Sequence, residues 1–464
     1  MQFQPFSPLG YFVVGFSIVS QRSGKNELFG LLTLLMDRLS CLVRTKNVKM
    51  MKSICLVLLF LTGATLSLRA GPHRTDINPA LLYYQAFILG PDLPQADHDY
   101  LFTNQWQGQK LPARFGELVG QSDNEFKLVR QAAHATGTCD WGIDWSAGPY
   151  TLLPQLSRVK ATVQMAQLRA MWELQNGRQD DARDDLLAAF ALGRNGSRDN
   201  SLIAALVQFA GETIVYATVA ANFGQFSPET LKQLADGFEV APARGTVANA
   251  IATTETHCFS DWVETRIPEL RKEYPGDDAR VLDSFREIFE DSGDGTRDTN
   301  VWPRIVRAAG GTSDGFLKLV REMKPMFARV AVIASLPPPE FDAQMKLFNA
   351  DVQKSSNPVV QCVFPDFTKA GVREFAIRTD EAMVRAAVEF KLHGKAGLQS
   401  VKDPFGNGPF EFQRFVFQGV DRGFELKSAY AGRGYPEAMI FVEKAGPPFY
   451  VTGGPQRLGQ AAQP

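Results

Sequence analysis

The stretch LLPQLSRVKATVQMAQLRA at residues 152–170 decides the fold class. Apolar residues recur in it at spacings of 4, 3, 4, 3 and 4, at Leu152, Leu156, Val159, Val163, Ala166 and Ala170. This spacing places them on one face of a helix, and such a face needs a packing partner. The same rhythm returns further on, at Ile203, Val207, Ala210, Ile214, Ala217 and Ala221.

The helical periodicity continues from Pro79 to about His393, and no alternating strand pattern interrupts it. Ser227-Pro228-Glu229 is typical of a helix start, with a Ser cap followed by Pro and an acid in the first turn. The pattern predicts further helices at 246–272, 279–290, 314–334, 339–353 and 370–392. The sequence therefore predicts a mainly α fold built from antiparallel helical hairpins.

After Gly394 the composition changes. Phe410-Glu-Phe-Gln-Arg-Phe-Val-Phe417 alternates apolar and polar residues, and segments 423–430 and 438–443 follow with Gly and Pro between them. Short alternating segments separated by turn residues predict a small antiparallel sheet. We therefore assign residues 71–395 to a helical domain, and 396–464 to a small β-rich segment with a flexible tail.

The N-terminal region carries the pattern of an export signal. Lys49 and Lys52 precede an apolar run at 54–68, and Ala70 stands at the cleavage position. A positive flank, a short apolar core and a small residue make a signal peptide, here 50–70. Because signals begin a chain, residues 1–49 are interpreted as an over-extended gene start. The protein is thus expected to be periplasmic or extracellular; the alternative is an uncleaved signal that anchors it in the membrane.

Charge and cysteine content exclude some functions. Residues 1–70 hold eight Lys or Arg and two acids, which leaves 41 basic and 48 acidic residues in 71–464. A mildly acidic body argues against nucleic-acid binding, which needs a positive surface. Three widely spaced cysteines remain, at 139, 258 and 362, and they form neither a disulfide scaffold nor a C-x-x-C metal site. The sequence predicts no cofactor and no metal.

The segment Trp172-Glu-Leu-Gln-Asn-Gly-Arg-Gln-Asp-Asp-Ala182 reads as helix, turn and helix. It resembles the second half of a tetratricopeptide unit, with Gly177, Ala182, Leu186 and Ala189 at the expected offsets. Arg169 and Glu173 stand where that unit has apolar residues, and the repeat does not continue. The resemblance implies one helical hairpin and no peptide-binding superhelix.

The C-terminal region resembles that of type II secretion pseudopilins. A helix, then Asp403-Pro-Phe-Gly-Asn-Gly408, then Phe410-Glu-Phe412 and Gly423-Phe-Glu-Leu-Lys-Ser428 carry the resemblance. A group of large exported bacterial proteins of uncharacterised function has a similar tail, together with a Cys-Asp-Trp-Gly segment like 139–142. The calcium loop of the pseudopilins is replaced here by 429–435, and the signal lacks a prepilin processing site. Pilus assembly and calcium binding are therefore not expected.

The segment Cys139-Asp-Trp-Gly-Ile-Asp-Trp145, followed by Gly148-Pro-Tyr150, is the best candidate site. Tryptophan faces beside carboxylates suit a polar ligand such as a sugar. The predicted ligand-binding residues are Asp140, Trp141, Asp144, Trp145 and Tyr150. The alternative is a packing loop in which the rings fill the bundle and an Asp caps a helix end.

Three other sequence patterns are weaker indications of a catalytic or metal-binding site. Gly311-Thr-Ser-Asp-Gly315 matches a nucleophile elbow but follows a helix-like segment, so a helix cap at Thr312 or Ser313 is favoured. His257 and Asp261 lie four apart on one helix, near Cys258 and Glu264, which favours a helix surface over a metal site. The acidic loop 290–298 departs from the EF-hand order and is interpreted as a linker.

The sequence as a whole predicts an exported helical binding or scaffold protein whose ligand is unknown. Its partner would be another protein or a polar ligand, with membrane contact only through an uncleaved signal segment. The alternative is a secreted hydrolase, possibly acting on glycans, in which Asp140 and Asp144 flank the scissile bond.

Overall fold

The computed structural model describes residues 76–102, 110–290, 300–432, 434, 436–446, 451–452 and 457–458. The predicted gene-start extension at 1–49 and the signal segment at 50–70 lie outside the described residues, as does the acidic loop beyond Glu290. The chain from Thr75 onward belongs to one compact unit.

Helices dominate this unit, and the predicted mainly α fold is confirmed. The first nine α-helices are α1 Pro79–Leu89, α2 Gln95–Phe102, α3 Arg114–Gln121, α4 Asp123–Ala133, α5 Pro154–Gln175, α6 Gln179–Gly196, α7 Leu202–Ala221, α8 Pro228–Val240 and α9 Val247–Ala250. The others are α10 Thr256–Glu273, α11 Asp278–Asp283, α12 Arg286–Glu290, α13 Val301–Ala308, α14 Ser313–Arg321, α15 Lys324–Ala334, α16 Pro338–Lys354, α17 Pro358–Val363 and α18 Thr368–Ser400. Two 3-10 turns, Trp145–Tyr150 and Phe223–Gln225, and a π-helical turn, Ile251–Glu255, complete the helical elements.

Helices α5 and α6 form the predicted hairpin. The turn between them contains Gly177 at φ 76°, a left-handed conformation that costs glycine little. Helix α7 packs against both helices, α4 packs against α6, and α1 packs against α4. Helix α18 then packs against α7 and α8, so that the hairpin lies at the centre of the helical core.

Three predicted helices are interrupted, and 279–290 is one of them, because α11 ends at Asp283 and α12 begins at Arg286. The prediction of one helix over 314–334 is wrong, because α14 ends at Arg321 and α15 begins at Lys324 with Pro325 in its first turn. Proline lacks a backbone N–H and is tolerated best in the first turn of a helix, which favours a new helix start here. The predicted helix 246–272 is also divided, since the π-helical turn Ile251–Glu255 separates α9 from α10.

The apolar stripe quoted above is buried from Leu156 to Ala170, whereas Leu152 precedes α5 and is 82% exposed. In α7 the predicted stripe is the less buried side, and Ile203 is 56% exposed. The face of α7 that points into the core carries Phe209 and Tyr216 together with polar Gln208 and Glu212. The helix was therefore predicted correctly, but its orientation was not.

Ion pairs explain the charged residues at apolar positions of the hairpin. Arg169 is buried, and its Nε donates to Asp185 Oδ2 at 2.9 Å while its Nη1 lies 2.8 Å from Asp123 Oδ1. Glu173 is buried too and is paired with Arg178. Arg130 binds the second oxygen of Asp185 at 2.6 Å. Paired charges thus replace the apolar contacts of the tetratricopeptide-like pattern.

Glu212 lies at the centre of a second buried ion cluster. Its Oε1 accepts from Arg194 Nε at 3.0 Å and from Gln208 Nε2 at 2.8 Å, and its Oε2 pairs with Arg244. Glu381 of α18 binds the same two arginines at 3.1 and 2.9 Å. Breaking such a buried ion pair is costly, because it leaves an uncompensated charge in the core. The cluster ties α6, α7, the segment before α9, and α18 together.

The C-terminal sheet has the order β1-β2-β3 and is antiparallel, as predicted. Its strands are β1 Glu411–Phe417, β2 Val420–Lys427 and β3 Ala438–Val442, and a separate pair, β4 Val451–Thr452 and β5 Arg457–Leu458, lies in the predicted tail. The Phe424 ring of β2 lies 5.7 Å from Phe223 and 5.0 Å from Phe390 of α18. The sheet and the helices therefore share one hydrophobic core.

The predicted turn at 403–408 anchors this sheet. Asp403 is buried, and its Oδ1 accepts from the Phe405 N–H at 3.0 Å. Its Oδ2 accepts from Ser428 Oγ at 2.8 Å and from the Ala429 N–H at 2.7 Å. One carboxylate therefore fixes the turn before β1 against the end of β2.

Candidate functional site

Trp141 is part of the core and not of a surface. Its side chain is 5% exposed, and its ring is stacked with those of Phe87 and Tyr83 at centroid distances of 6.2 and 5.8 Å. Its Nε1 donates to the Asn195 carbonyl at 2.8 Å, which satisfies the one polar atom of the indole. Trp141 therefore cannot offer a ring face to a ligand, and this part of the predicted site is corrected.

The side chains of Asp140 and Asp144 both accept hydrogen bonds from the backbone of their own segment. Asp140 Oδ1 accepts from the Gly142 N–H at 2.9 Å, and Gly142 has φ 66°. Asp144 accepts from the N–H and the hydroxyl of Ser146, both at 2.9 Å. These backbone and side-chain hydrogen bonds lower the pKa of Asp144. Asp144 thus caps the turn that follows it, as the alternative interpretation predicted, and both side chains remain exposed.

Trp145 begins a 3-10 turn that lies against α10. Gly148 in this turn has φ 57°, and a Cβ there would lie 2.3 Å from the Trp262 ring. Tyr150 approaches the same ring edge-on, at a centroid distance of 6.0 Å. Only glycine at position 148 allows the turn to lie this close to the Trp262 ring. The contact brings Trp145 of the turn and Trp262 of α10 to the same region of the structure.

A cleft of about 740 Å³ opens between this turn and α10. Trp145 and Ser146 contribute from the turn, and Thr253 and Thr254 contribute from the π-helical turn. The remaining lining comes from α10, namely His257, Cys258, Asp261, Trp262, Thr265, Arg266 and Glu269. Single π-helical turns recur at functional sites, where they displace side chains from regular helical positions.

His257 and Asp261 form a pair on the wall of the cleft. His257 Nδ1 lies 2.7 Å from Asp261 Oδ2, and Lys324 Nζ lies 3.0 Å from Asp261 Oδ1. Burial opposes ionisation of Asp261, but the hydrogen bonds from Lys324 and His257 hold the pKa of its carboxyl below the usual value. An ionised Asp261 fixes the imidazole through Nδ1 and leaves Nε2 for a ligand or a water molecule.

Cys258 supplies no nucleophile to the cleft. Burial and the nearby Glu255 carboxylate raise the pKa of its thiol to about 11, so the thiol stays protonated at neutral pH. Within the described ranges, no group of three His, Cys, Asp or Glu side chains could hold a metal ion. The lining of the cleft consists of aromatic rings together with hydrogen-bonding and charged side chains.

The structure brings together only part of the predicted site. Trp145 lines the cleft and Tyr150 lies beside Trp262, whereas Trp141 is buried elsewhere in the core. The sequence interpretation missed Trp262. A possible signal was its position, one residue after Asp261 on the helix already singled out for His257.

The nucleophile-elbow pattern forms a helix start. Thr312 caps α14, because its Oγ1 accepts from the Gly315 N–H at 3.1 Å. Ser313 is fully buried, and its Oγ accepts from Arg271 Nη2 at 2.7 Å and pairs with Asp278. The favoured interpretation as a cap is confirmed for Thr312, and Ser313 is enclosed by the residues that bind it.

Comparison of the chain with protein-family models, with curated proteins and with solved structures finds no match. The resemblances of 172–189 and 403–428 to known families stay predictions. The geometry of the cleft is therefore the basis for a function.

Proposed function

We propose that the protein is an exported binding protein that holds a polar ligand in the cleft between the Trp145 turn and α10. The observation that carries this proposal is the cleft itself, where Trp145 and Trp262 lie beside His257 and Asp261. Pockets of several hundred Å³ lined by aromatic rings and a few polar groups are the usual small-molecule sites.

The lining favours a sugar-like ligand. Indole faces gain contact area from the C–H side of a sugar ring, and hydroxyl groups need both donors and acceptors around them. Thr254 and Asp261 can accept such hydrogen bonds, and Arg266 can donate them. The acidic balance of the chain after residue 70 gives no support to nucleic acid as a partner.

Titration of tryptophan fluorescence with a panel of soluble mono- and oligosaccharides tests the proposal. We expect at least one sugar to bind, and we expect Trp145→Ala to weaken that binding at least tenfold by removing the stacking face. Asp140→Asn is the matched control, since Asp140 lies on the same segment outside the cleft. Equal affinity of Trp145→Ala and the parent protein, or no binding across the panel, would contradict the proposal.

A hydrolase is the second candidate, and one observation favours it. The 2.7 Å contact between His257 and Asp261 is the arrangement that orients an imidazole as a general base. Asp140 and Asp144, the acids first considered for this role, are instead engaged by their own turns. Assay of nitrophenyl glycosides and esters with the parent protein and His257→Ala would test it, and turnover unaffected by the substitution would exclude His257 as the base.

A further inference from the structure

A second cavity, separate from the Trp145 cleft, lies between the end of α1, α4 and α5. Its volume is about 340 Å³. The walls include Phe87, Leu93 and Met165, and the charged residues Asp92, Arg158 and Lys160 line it as well. It is large enough for a small organic molecule.

The Glu125 carboxyl lines this cavity although its side chain is only 4% exposed. Its Oε1 accepts from Thr162 Oγ1 at 2.8 Å. Gly90 lies directly against the carboxyl, and a Cβ at that position would approach its atoms to 2.9 Å. The backbone at position 90 can therefore lie this close to the carboxyl only because glycine has no side chain.

Gln164 lines the same cavity, and its Nε2 is buried without a hydrogen-bond partner among the described residues. A buried amide donor without an acceptor is costly, because it has lost its hydrogen bonds to water and gained none in the protein. Asp92 and Arg158 of the lining are paired with each other at 3.3 Å, so Lys160 and the Gln164 amide are the groups that favour a negatively charged acceptor.

We propose that this cavity binds the carboxylate of a small apolar acid, with Gln164 Nε2 as one hydrogen-bond donor and the Glu125 carboxyl as the other. The two carboxyl groups share one proton, which Glu125 supplies, and no covalent bond changes. The apolar part of the ligand packs against Phe87, Leu93 and Met165. This site lies outside the proposed Trp145 cleft and does not depend on it.

Proton sharing makes binding depend on pH. Burial raises the pKa of Glu125 to about 7, against the lowering effects of the Thr162 hydrogen bond and of the Arg169 and Arg158 charges. The other charged groups of the surrounding elements are Asp92, Lys160 of α5, and Asp185 of α6, which is held by Arg169. A carboxyl with a pKa of about 7 changes its protonation state between pH 6 and pH 8.

Calorimetric titration of the purified protein with sodium butyrate, at about pH 6 and about pH 8, is the test. Glu125 is protonated in most molecules at the lower pH and in roughly one in ten at the higher, so we expect affinity to fall about tenfold. Glu125→Gln keeps a donor that does not titrate, and it should bind equally at both values. Gln164→Leu should weaken binding at least about tenfold, while Gln167→Leu, on the same helix outside the cavity, should not.

Gly90→Ala places a methyl group over the carboxyl and should also weaken binding, and it tests the site even where Glu125→Gln fails to fold. Three results would overturn the proposal. They are the absence of butyrate binding at about pH 6, equal affinity of the parent protein at both pH values, and binding of butylamine in place of butyrate.

Discussion

Trp141 and Trp145 lie only four residues apart in the chain, but their side chains have different environments. Trp141 is enclosed by Tyr83 and Phe87 and is hydrogen-bonded to Asn195, whereas Trp145 lines the cleft. The sequence could predict that this segment is unusual, because two of the six tryptophans lie in it. It could not predict which ring faces the core, since that depends on α1, about sixty residues earlier.

We expect Trp141→Ala to lower the free energy of unfolding by about 3–5 kcal/mol, because it leaves a large cavity and an unpaired carbonyl at Asn195. Trp145→Ala should lower it by about 1 kcal/mol or less, since that ring is already partly exposed. Urea titrations of the two variants measure the difference. Equal losses would mean that Trp145 is a packing residue too.

Glu212 marks a second limit on what could be predicted at the residue scale. The apolar stripe of α7 suggested that Ile203 faces the core, yet Gln208 and Glu212 do. Periodicity counts apolar residues only, and it cannot anticipate that Arg194 and Arg244, from other elements, neutralise a buried carboxylate.

Removing this carboxylate leaves Arg194 and Arg244 in the core with the partly exposed Glu381 as their remaining carboxylate among the described residues. We therefore expect Glu212→Ala to cost about 3–5 kcal/mol of unfolding free energy. Glu239→Ala is the control, because Glu239 makes a 2.9 Å pair with Arg385 in which both side chains are more than half exposed. Denaturant titration should show no more than about 1 kcal/mol for the control, and a similar loss in both variants would contradict the role given to Glu212.

Elements were predicted best where the sequence carries local signals. Ser227, Pro228 and Glu229 predicted the start of α8, and the Ser227 side chain does accept from the Thr230 N–H. The Asp403 turn and the three strands were likewise predicted. The π-helical turn was not, because an extra residue in a helical turn leaves no pattern that distinguishes it from regular helix.

We expect one methyl group, added at Gly148, to displace the 3-10 turn Trp145–Tyr150. Gly148→Ala would press a Cβ into the Trp262 ring and force an unfavourable φ, so the wall carrying Trp145 must move. We expect loss of any ligand binding in the cleft with a destabilisation of about 1–3 kcal/mol. Gly142→Ala is the control, since its Cβ meets no atom within 4 Å although its φ is also positive. Binding retained by Gly148→Ala would show that the wall does not depend on this contact.

At the scale of the whole molecule, the predicted boundary between residues 395 and 396 marks the change from helices to strands. The predicted boundary lies beside Gly394, where α18 is kinked at φ 64°, but the sheet that follows shares the helical core. A change in periodicity records a change in secondary structure, and it does not reveal whether two parts pack together.

We therefore expect one cooperative unfolding transition for the helices and the sheet. Circular dichroism, which follows mainly the helices, and proteolysis around 394–403 should report the same midpoint in denaturant. Asp403→Ala should lower that midpoint for both probes, because Asp403 joins the turn to Ser428 and Ala429. Early cleavage with the helical signal intact would instead indicate two separable units.

The export signal predicted at 50–70 implies a defined N-terminus of the mature protein. N-terminal sequencing of protein recovered outside the cytoplasm should give a sequence that begins near Gly71, as the signal pattern at 50–70 requires. Recovery of peptides from 1–49 would contradict both the predicted cleavage and the interpretation of residues 1–49 as an over-extended gene start.

The charge of Glu212 in the apolar helix α7 also has an effect before the chain folds. Within the described part of the chain, Leu202–Ala221 is the one helix long and apolar enough to cross a membrane. The predicted signal peptide would direct the chain through a translocation channel before Arg194, Arg244 and Glu381 can gather around Glu212. During that passage the charge of Glu212 disfavours release of the helix into lipid. Glu212→Leu would remove this protection, and the chain would stall as a membrane-inserted intermediate.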